Sequence, residues 1–288
     1  MYHHLLQGCR LHSSHSAGHA ATSRRGKIKM EAATSNPSSK RIALVSGGNK
    51  GIGLEMCRQL ASKGLKVVLT ARNEARGLEA VEGVRRSGAD VVFHQLDVTD
   101  PDSVARLADF VRDQFGKLDI LINNAGISGV DRDPVLFAQV QEQLSSSGRI
   151  VNVSSGFSLL RNFNSEELKK EFDDIDNLSE KRLEELLDLF LEDFKANLIE
   201  AHGWPTGGSS AYKVAKAALN AYTRILAKTF PPMRINCLTP GFVKSDMSMH
   251  MGVLTPEEGA SNLVKVALLP DDGPTGAYFD RDGVASFV

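Results

Sequence analysis

Two spacings of apolar residues alternate along most of this chain. Arg41–Ser46 (RIALVS) is a short β-rich run that stops at glycines, and Ile52–Lys63 then repeats apolar residues at helical intervals before Gly64, which predicts strand, turn and helix. The same alternation predicts strands at Lys66–Thr70, Asp90–Phe93 and Leu118–Asn123, with helices at Asn73–Ser87 and Asp100–Phe115 between them. Pro101 near the start of the second helix and Gly116 at its end punctuate it. Further strands are expected at Arg149–Val153, Arg234–Leu238 and Gly276–Phe279. Strands alternating with helices imply right-handed crossovers, hence an α/β fold with a Rossmann-like, doubly wound parallel sheet covered on both faces. Ligands of such sheets bind at the carboxyl ends of the strands.

Candidate chemistry collects at those ends. After the first strand comes Gly47-Gly48-Asn49-Lys50-Gly51-Ile52-Gly53, a GxxxGxG turn. Small residues there let backbone approach a pyrophosphate, whose charge meets the free N–H groups of a helix N-terminus. The second strand ends Leu69-Thr70-Ala71-Arg72 without the carboxylate that would accept a hydrogen bond from a free adenosine ribose hydroxyl. Arg72 can pair with a 2′-phosphate instead, and Lys50 is placed to add a second cation, so the expected cofactor is NADP(H).

Tyr212 and Lys216 lie four residues apart at the start of a helical segment, on one face and one turn apart. An adjacent ammonium stabilises a phenolate and draws the phenol toward use as a general acid or base. Ser154-Ser155 follow the strand Arg149–Val153, where a hydroxyl can steady charge developing on a carbonyl oxygen. Pro240-Gly241, followed by Val243, Ser245 and Asp246, makes a turn able to meet a carboxamide with backbone groups.

Composition narrows the alternatives. A chain of 288 residues, 42% hydrophobic and with a formal net charge of -1, suits one domain with a tail and gives no general pull toward nucleic acid or anionic membrane. No apolar run approaches the roughly 18–20 residues that span a bilayer. Cys9, Cys57 and Cys237 are isolated and support neither a disulfide framework nor a metal site. Met1–Met30 has no acidic residue but several arginines, serines and histidines. Residues 1–40 are expected to be a disordered basic tail, either an organelle transit peptide or an upstream leader before an ordinary start at Met30. The second choice places the protein in the cytoplasm, the first in a plastid or mitochondrion.

Taken in order, GxxxGxG, Asn123-Asn124-Ala125-Gly126, the serine strand end, YxxxK and Pro-Gly resemble the short-chain dehydrogenase/reductase superfamily over roughly Arg41–Val288. Within it the chain is similar to the plant monomeric branch of neomenthol dehydrogenase, menthone reductases and salutaridine reductase, which is related to carbonyl reductases. The resemblance implies an oxidoreductase moving hydride between NADPH and a carbonyl or secondary alcohol. Ser155 would polarise the substrate, Tyr212 would donate the proton, and Lys216 would lower the tyrosine pKa and hold ribose. Asp97-Val98 would flank adenine, Asn124-Ala125-Gly126 would line the cofactor floor, and Val243 and Ser245 would reach the carboxamide. Ser46 and Ser245 stand where the pattern more often has threonine.

Two departures from that pattern matter. Between serine and tyrosine lies a long insertion, about 157–210, in which Leu183, Leu186, Leu187, Phe190, Phe194 and Leu198 recur at helical spacing above an acidic face. By resemblance it would cover the usual dimer surface and favour a monomer, with Trp204, Pro205 and Gly207-Gly208 lining or hinging a substrate pocket. Conversely, the crossover Ile127–Ser147 is short. Pro134–Leu144 can make a short helix with Leu136, Val140 and Leu144 inward, but the segment has no asparagine where the family carries one that holds a proton-relay water. Gln139, Gln141 or Gln143 are the available substitutes. The alternative reading is therefore a chain that binds cofactor but turns over weakly.

Overall fold

The computed structural model describes residues 40–126 and 143–288. Most of the tail and of the shortened crossover, including Gln139, Gln141 and nearly all of the helix expected at Pro134–Leu144, lies outside the described residues. Lys40, at the end of that tail, is described and pairs with Asp90 at 3.1 Å.

In chain order the elements are β1 (Ile42–Val45), α1 (Gly51–Ser62), β2 (Lys66–Ala71), α2 (Glu74–Arg85), β3 (Val91–Gln95), α3 (Pro101–Phe115), β4 (Leu118–Asn123) and β5 (Leu144–Val153). Then follow α4 (Glu166–Asp173), α5 (Glu180–Ala196), α6 (Ser210–Thr229), β6 (Arg234–Leu238), α7 (Pro256–Ala267), β7 (Tyr278–Phe279) and β8 (Val284–Ala285). The eight strands run β3-β2-β1-β4-β5-β6-β7-β8. All neighbours are parallel except the β7–β8 hairpin, an antiparallel edge that the apolar spacing does not reveal.

Local chemistry sets the boundaries. Asp100 caps α3 by accepting from the amide of Asp102, Pro101 opens it, and Gly116 closes it in the left-handed region at φ 70°. Asn73 caps α2 by accepting from the amide of Arg76 at 2.9 Å, so it stands before the helix rather than inside it. Residues of β1 and β4 alternate between the two layers. Val45, Ile120 and Ile122 face α1 and α7, whereas Ile42, Leu44 and Leu121 face α3 and α6. Burial on both faces is what makes these strands read as continuous apolar runs.

A third cluster packs the insertion against α6. Leu183, Leu186, Phe190 and Phe172 surround Trp204 together with Val214 and Ala218. Trp204 is fully buried and donates from Nε1 to Asp193 at 2.7 Å. It is therefore part of the core and does not line a substrate pocket. Phe194 and Leu198, expected on the inward stripe, are exposed; Leu198 lies beyond α5, which ends at Ala196 and turns through Asn197 in the left-handed region.

Strand β5 departs most from expectation. It begins at Leu144, which pairs with Leu118, and the register then jumps to Ile120 opposite Arg149. Leu144 is thus a buried strand residue and not the end of a helix. Ladder pairing across the irregularity takes precedence over the apolar spacing that suggested a helix.

Candidate active site

The crevice at the carboxyl ends of β1, β4, β5 and β6 gathers nearly all the candidate residues. Ser46, where a threonine is more usual, keeps the useful hydroxyl: its Oγ accepts from the amides of Asn124 and Ala125, each at 2.9 Å. Asn124 returns the contact from Nδ2 to the carbonyls of Ser46 and Gly47, at 2.9 and 3.2 Å. The turn after β1 and the Asn124-Ala125-Gly126 floor after β4 are thus one hydrogen-bonded unit.

Helix α1 starts in a way that suits an anionic ligand. Lys50 precedes it without a side-chain cap, and its first turn carries no acidic residue. Around a Cβ built on Gly51 there is open space, with φ at 54°, whereas one on Gly53 would sit 2.3 Å from the Gly47 carbonyl oxygen. The open space at the first glycine leaves room for a pyrophosphate to approach, and the second allows α1 to pack on the turn. Ile52 packs at the edge of the α1–α7 layer, and Asn49 is part of the turn itself. The residues present therefore fit a dinucleotide.

At the adenosine end, Arg72 follows β2 and is exposed beside an open hollow of about 680 Å³, shared with Asn73, His94 and Arg106. No carboxylate ends β2. Lys50, however, is not simply aimed at that end: it is ion-paired with Asp246. Asp97 stands after β3, its carboxylate accepting from the amide and hydroxyl of Thr99, at 3.0 and 2.7 Å. Those bonds hold its carboxyl below the ordinary value. Val98 is half-buried against the α3 layer.

The residues expected to react meet where β5 ends. Tyr212 lies beside the Ser155 hydroxyl, and the exposed Phe157 ring stands edge-on to the phenol at 6.5 Å. Burial pushes the Tyr212 phenol above its ordinary value, and the neighbouring Ser155 hydroxyl offsets part of that. Lys216 donates from Nζ to the Val153 carbonyl at 3.0 Å and lies 5.9 Å from the centre of the Tyr212 ring.

Paired serines divide the labour. Ser154 is buried and donates to Asn220 Oδ1 at 2.6 Å, while Asn220 donates from Nδ2 to Ser158 Oγ at 2.7 Å. Deeper along α6, Asn152 donates to Thr223 Oγ1 and accepts from Asn123, both at 2.8 Å. Tyr212, Lys216, Asn220 and Thr223 form one stripe of α6 facing β5. Asn220 and Thr223 are the supporting residues that sequence reading misses, although their spacing from Lys216 is the available signal. Gln143 is no substitute for the missing asparagine. It precedes Leu144 opposite Leu118, at the far end of β4 from Asn123, about 15–20 Å away at the usual rise per residue.

The last wall follows β6. Pro240 and Gly241 turn the chain, Val243 is buried and bridges to Leu254, and Ser245 donates from its amide to Ser248 Oγ at 3.0 Å. Among the described residues no group of three or more His, Cys, Asp or Glu is placed to hold a metal, and no helix is long and apolar enough to cross a membrane.

Known proteins resemble this chain in sequence and fold. The family described as short chain dehydrogenase matches residues 41–144. Short-chain dehydrogenase/reductase 1 of Saponaria officinalis is 43% identical over 302 residues, covering 90% of this chain and 100% of that protein. That alignment is longer than the part of this 288-residue chain it uses, so about 40 positions of the relative have no counterpart here. (+)-Neomenthol dehydrogenase of Arabidopsis thaliana is 43% identical, covering 86% of this chain and 98% of that protein. The solved structure of salutaridine reductase from Papaver somniferum superposes with a TM-score of 0.76 at 41% identity, covering 83% of this chain and 99% of that one. These relatives are 41–43% identical to this chain along most of its length, and on that ground the chain belongs to the short-chain dehydrogenase/reductase family of oxidoreductases.

Proposed function

We propose that this chain is an NADP(H)-dependent oxidoreductase that interconverts a carbonyl and a secondary alcohol on a small molecule of terpenoid or alkaloid type. The observation that carries the reading is the placing of Tyr212 beside Ser155 at the end of β5, with Lys216 one turn further on the same face of α6 and bonded to the Val153 carbonyl. NADPH bound along the glycine turn supplies the hydride. The chain's own residues manage the proton and the oxygen. A carbonyl oxygen seated between Ser155 and Tyr212 accepts from both hydroxyls, so charge that develops on it is met by two donors. Tyr212 then gives up its proton, which burial keeps on the phenol through neutral pH. Lys216, as a nearby ammonium, favours the phenolate left behind. The substrate class rests on the relatives named salutaridine reductase and neomenthol dehydrogenase.

Preference for the 2′-phosphate is supported by Arg72, by Lys50 and by the missing carboxylate at the end of β2. Arg76, in the first turn of α2, adds positive charge close by. A monomer is supported by α4 and α5, which bury the outer side of α6 with this chain's own residues.

A second reading, cofactor binding with weak turnover, is favoured by the short link 127–142, by the absence of asparagine from Ile127–Ser147 and by the missing positions in the alignment. Fluorescence titration with both dinucleotides tests the cofactor assignment. NADPH should bind at least about tenfold more tightly than NADH, a difference near 1.4 kcal/mol. Equal affinities, or an unchanged preference in Arg72→Ala, would overturn it.

A further inference from the structure

Lys50 leaves the end of β1 and Asp246 follows β6, with β4 and β5 between those strands in the sheet. Their ion pair therefore joins the two banks of the crevice, and both partners are largely exposed, at 64% and 62%. Asp246 belongs to a compact turn. The His250 amide donates to the Ser245 carbonyl at 2.8 Å, Ser248 Oγ donates to the Val243 carbonyl at 2.7 Å, and His250 Nε2 lies 3.3 Å from Asp246. At the tip Met249 and His250 both hold left-handed backbone, with φ of 50° and 59°. Met247, Met249, Met251 and Val253 are exposed around it. The turn is bonded to itself, and the Lys50 pair ties its first arm, at Asp246, to the opposite bank.

From this geometry we propose that Asp246 determines cofactor specificity as the internal counter-ion that a ribose 2′-phosphate must displace from Lys50, and that this exchange releases the turn around Ser245–Val253. The inference rests on the NADP(H) reading above and extends it to a residue with no direct part in holding the nucleotide. One ammonium cannot serve two anions at full strength. A phosphate of nearly two negative charges takes Lys50 from a single exposed carboxylate, and His250 remains beside Asp246 to receive it. NADH has no such group and leaves the pair intact. The freed turn carries exposed, unbranched methionines able to settle on an apolar ligand.

Three proteins test this: wild type, Asp246→Asn and Lys50→Met. An exposed pair is weak, so Asp246→Asn should tighten NADPH by about two- to five-fold and leave NADH unchanged. Amide hydrogen exchange across 245–253 should be faster in both free variants than in free wild type, and should speed up in wild type with NADPH but not with NADH. Unchanged or weaker NADPH binding in Asp246→Asn overturns the competition, and equal exchange in the three free proteins overturns the latch. The free-protein comparison needs no cofactor, so it stands even if wild type binds the two dinucleotides equally and the NADP(H) reading fails.

Discussion

Replacing Gly53 with alanine probes whether the turn and α1 are packed as described. The added Cβ would lie 2.3 Å from the Gly47 carbonyl oxygen and 2.7 Å from Asn124 Nδ2. The first of these is backbone and cannot swing aside, so either α1 or the turn must move. Overpacking of this kind costs about 1–3 kcal/mol. For a domain of this size each kcal/mol lowers Tm by roughly 2–4 °C, so a fall of about 2–12 °C is expected. The same shift pulls the α1 N-terminus away from the open space at Gly51, and NADPH affinity should drop by more than about tenfold. Gly83 in α2 is the control, because a Cβ there meets nothing within 4 Å and φ is ordinary. Gly83→Ala should gain about 0.5–1 kcal/mol and leave binding alone. Thermal melting and fluorescence titration of the two variants decide the matter. A Gly53→Ala protein that melts and binds like wild type would refute the reasoning.

Three further outcomes are expected. Tyr212→Phe should abolish turnover while NADPH affinity stays within a few-fold, since the lost hydroxyl moves a proton and does not hold the nucleotide; steady-state rates and titration check it. Asn220→Ala leaves the buried Ser154 hydroxyl without its acceptor, so it should cost about 1–3 kcal/mol and lower kcat, measurable by denaturant unfolding beside kinetics. Burial works to raise the Asp193 carboxyl, but hydrogen bonds from Trp204 and His202 hold it below its ordinary value. Its contribution to stability is therefore complete above about pH 4 and lost as pH falls through the lower folded value, whereas Asp193→Asn should flatten that part of the stability–pH curve.

Much of this was legible in the sequence because local chemistry and tertiary role coincide. GxxxGxG marks a strand–turn–helix whatever surrounds it, and Tyr212 with Lys216 announces its geometry through helical spacing alone. Ser155 could be named but not separated from Ser154 by spacing, since the choice depends on which hydroxyl Asn220 occupies, a contact across 66 residues. Trp204 read as a pocket residue because aromatic side chains suit both pockets and cores, and only packing against Phe163, Phe172 and Phe190 decides. The start of β5 at Leu144 was hidden because apolar residues at short spacing serve a buried strand as well as a helix. The Lys50–Asp246 pair joins positions 196 residues apart and leaves no local trace.

The central claim is that Ser155, Tyr212 and Lys216 carry out NADPH-dependent carbonyl reduction. NADPH consumption by the purified protein against a panel of cyclic ketones, run beside Tyr212→Phe, tests it most directly. The account predicts ketone-dependent consumption by wild type, slowed by the short 127–142 link, and none by the variant. Consumption that persists undiminished in Tyr212→Phe, or wild type that binds NADPH yet never consumes it with any ketone, would contradict it.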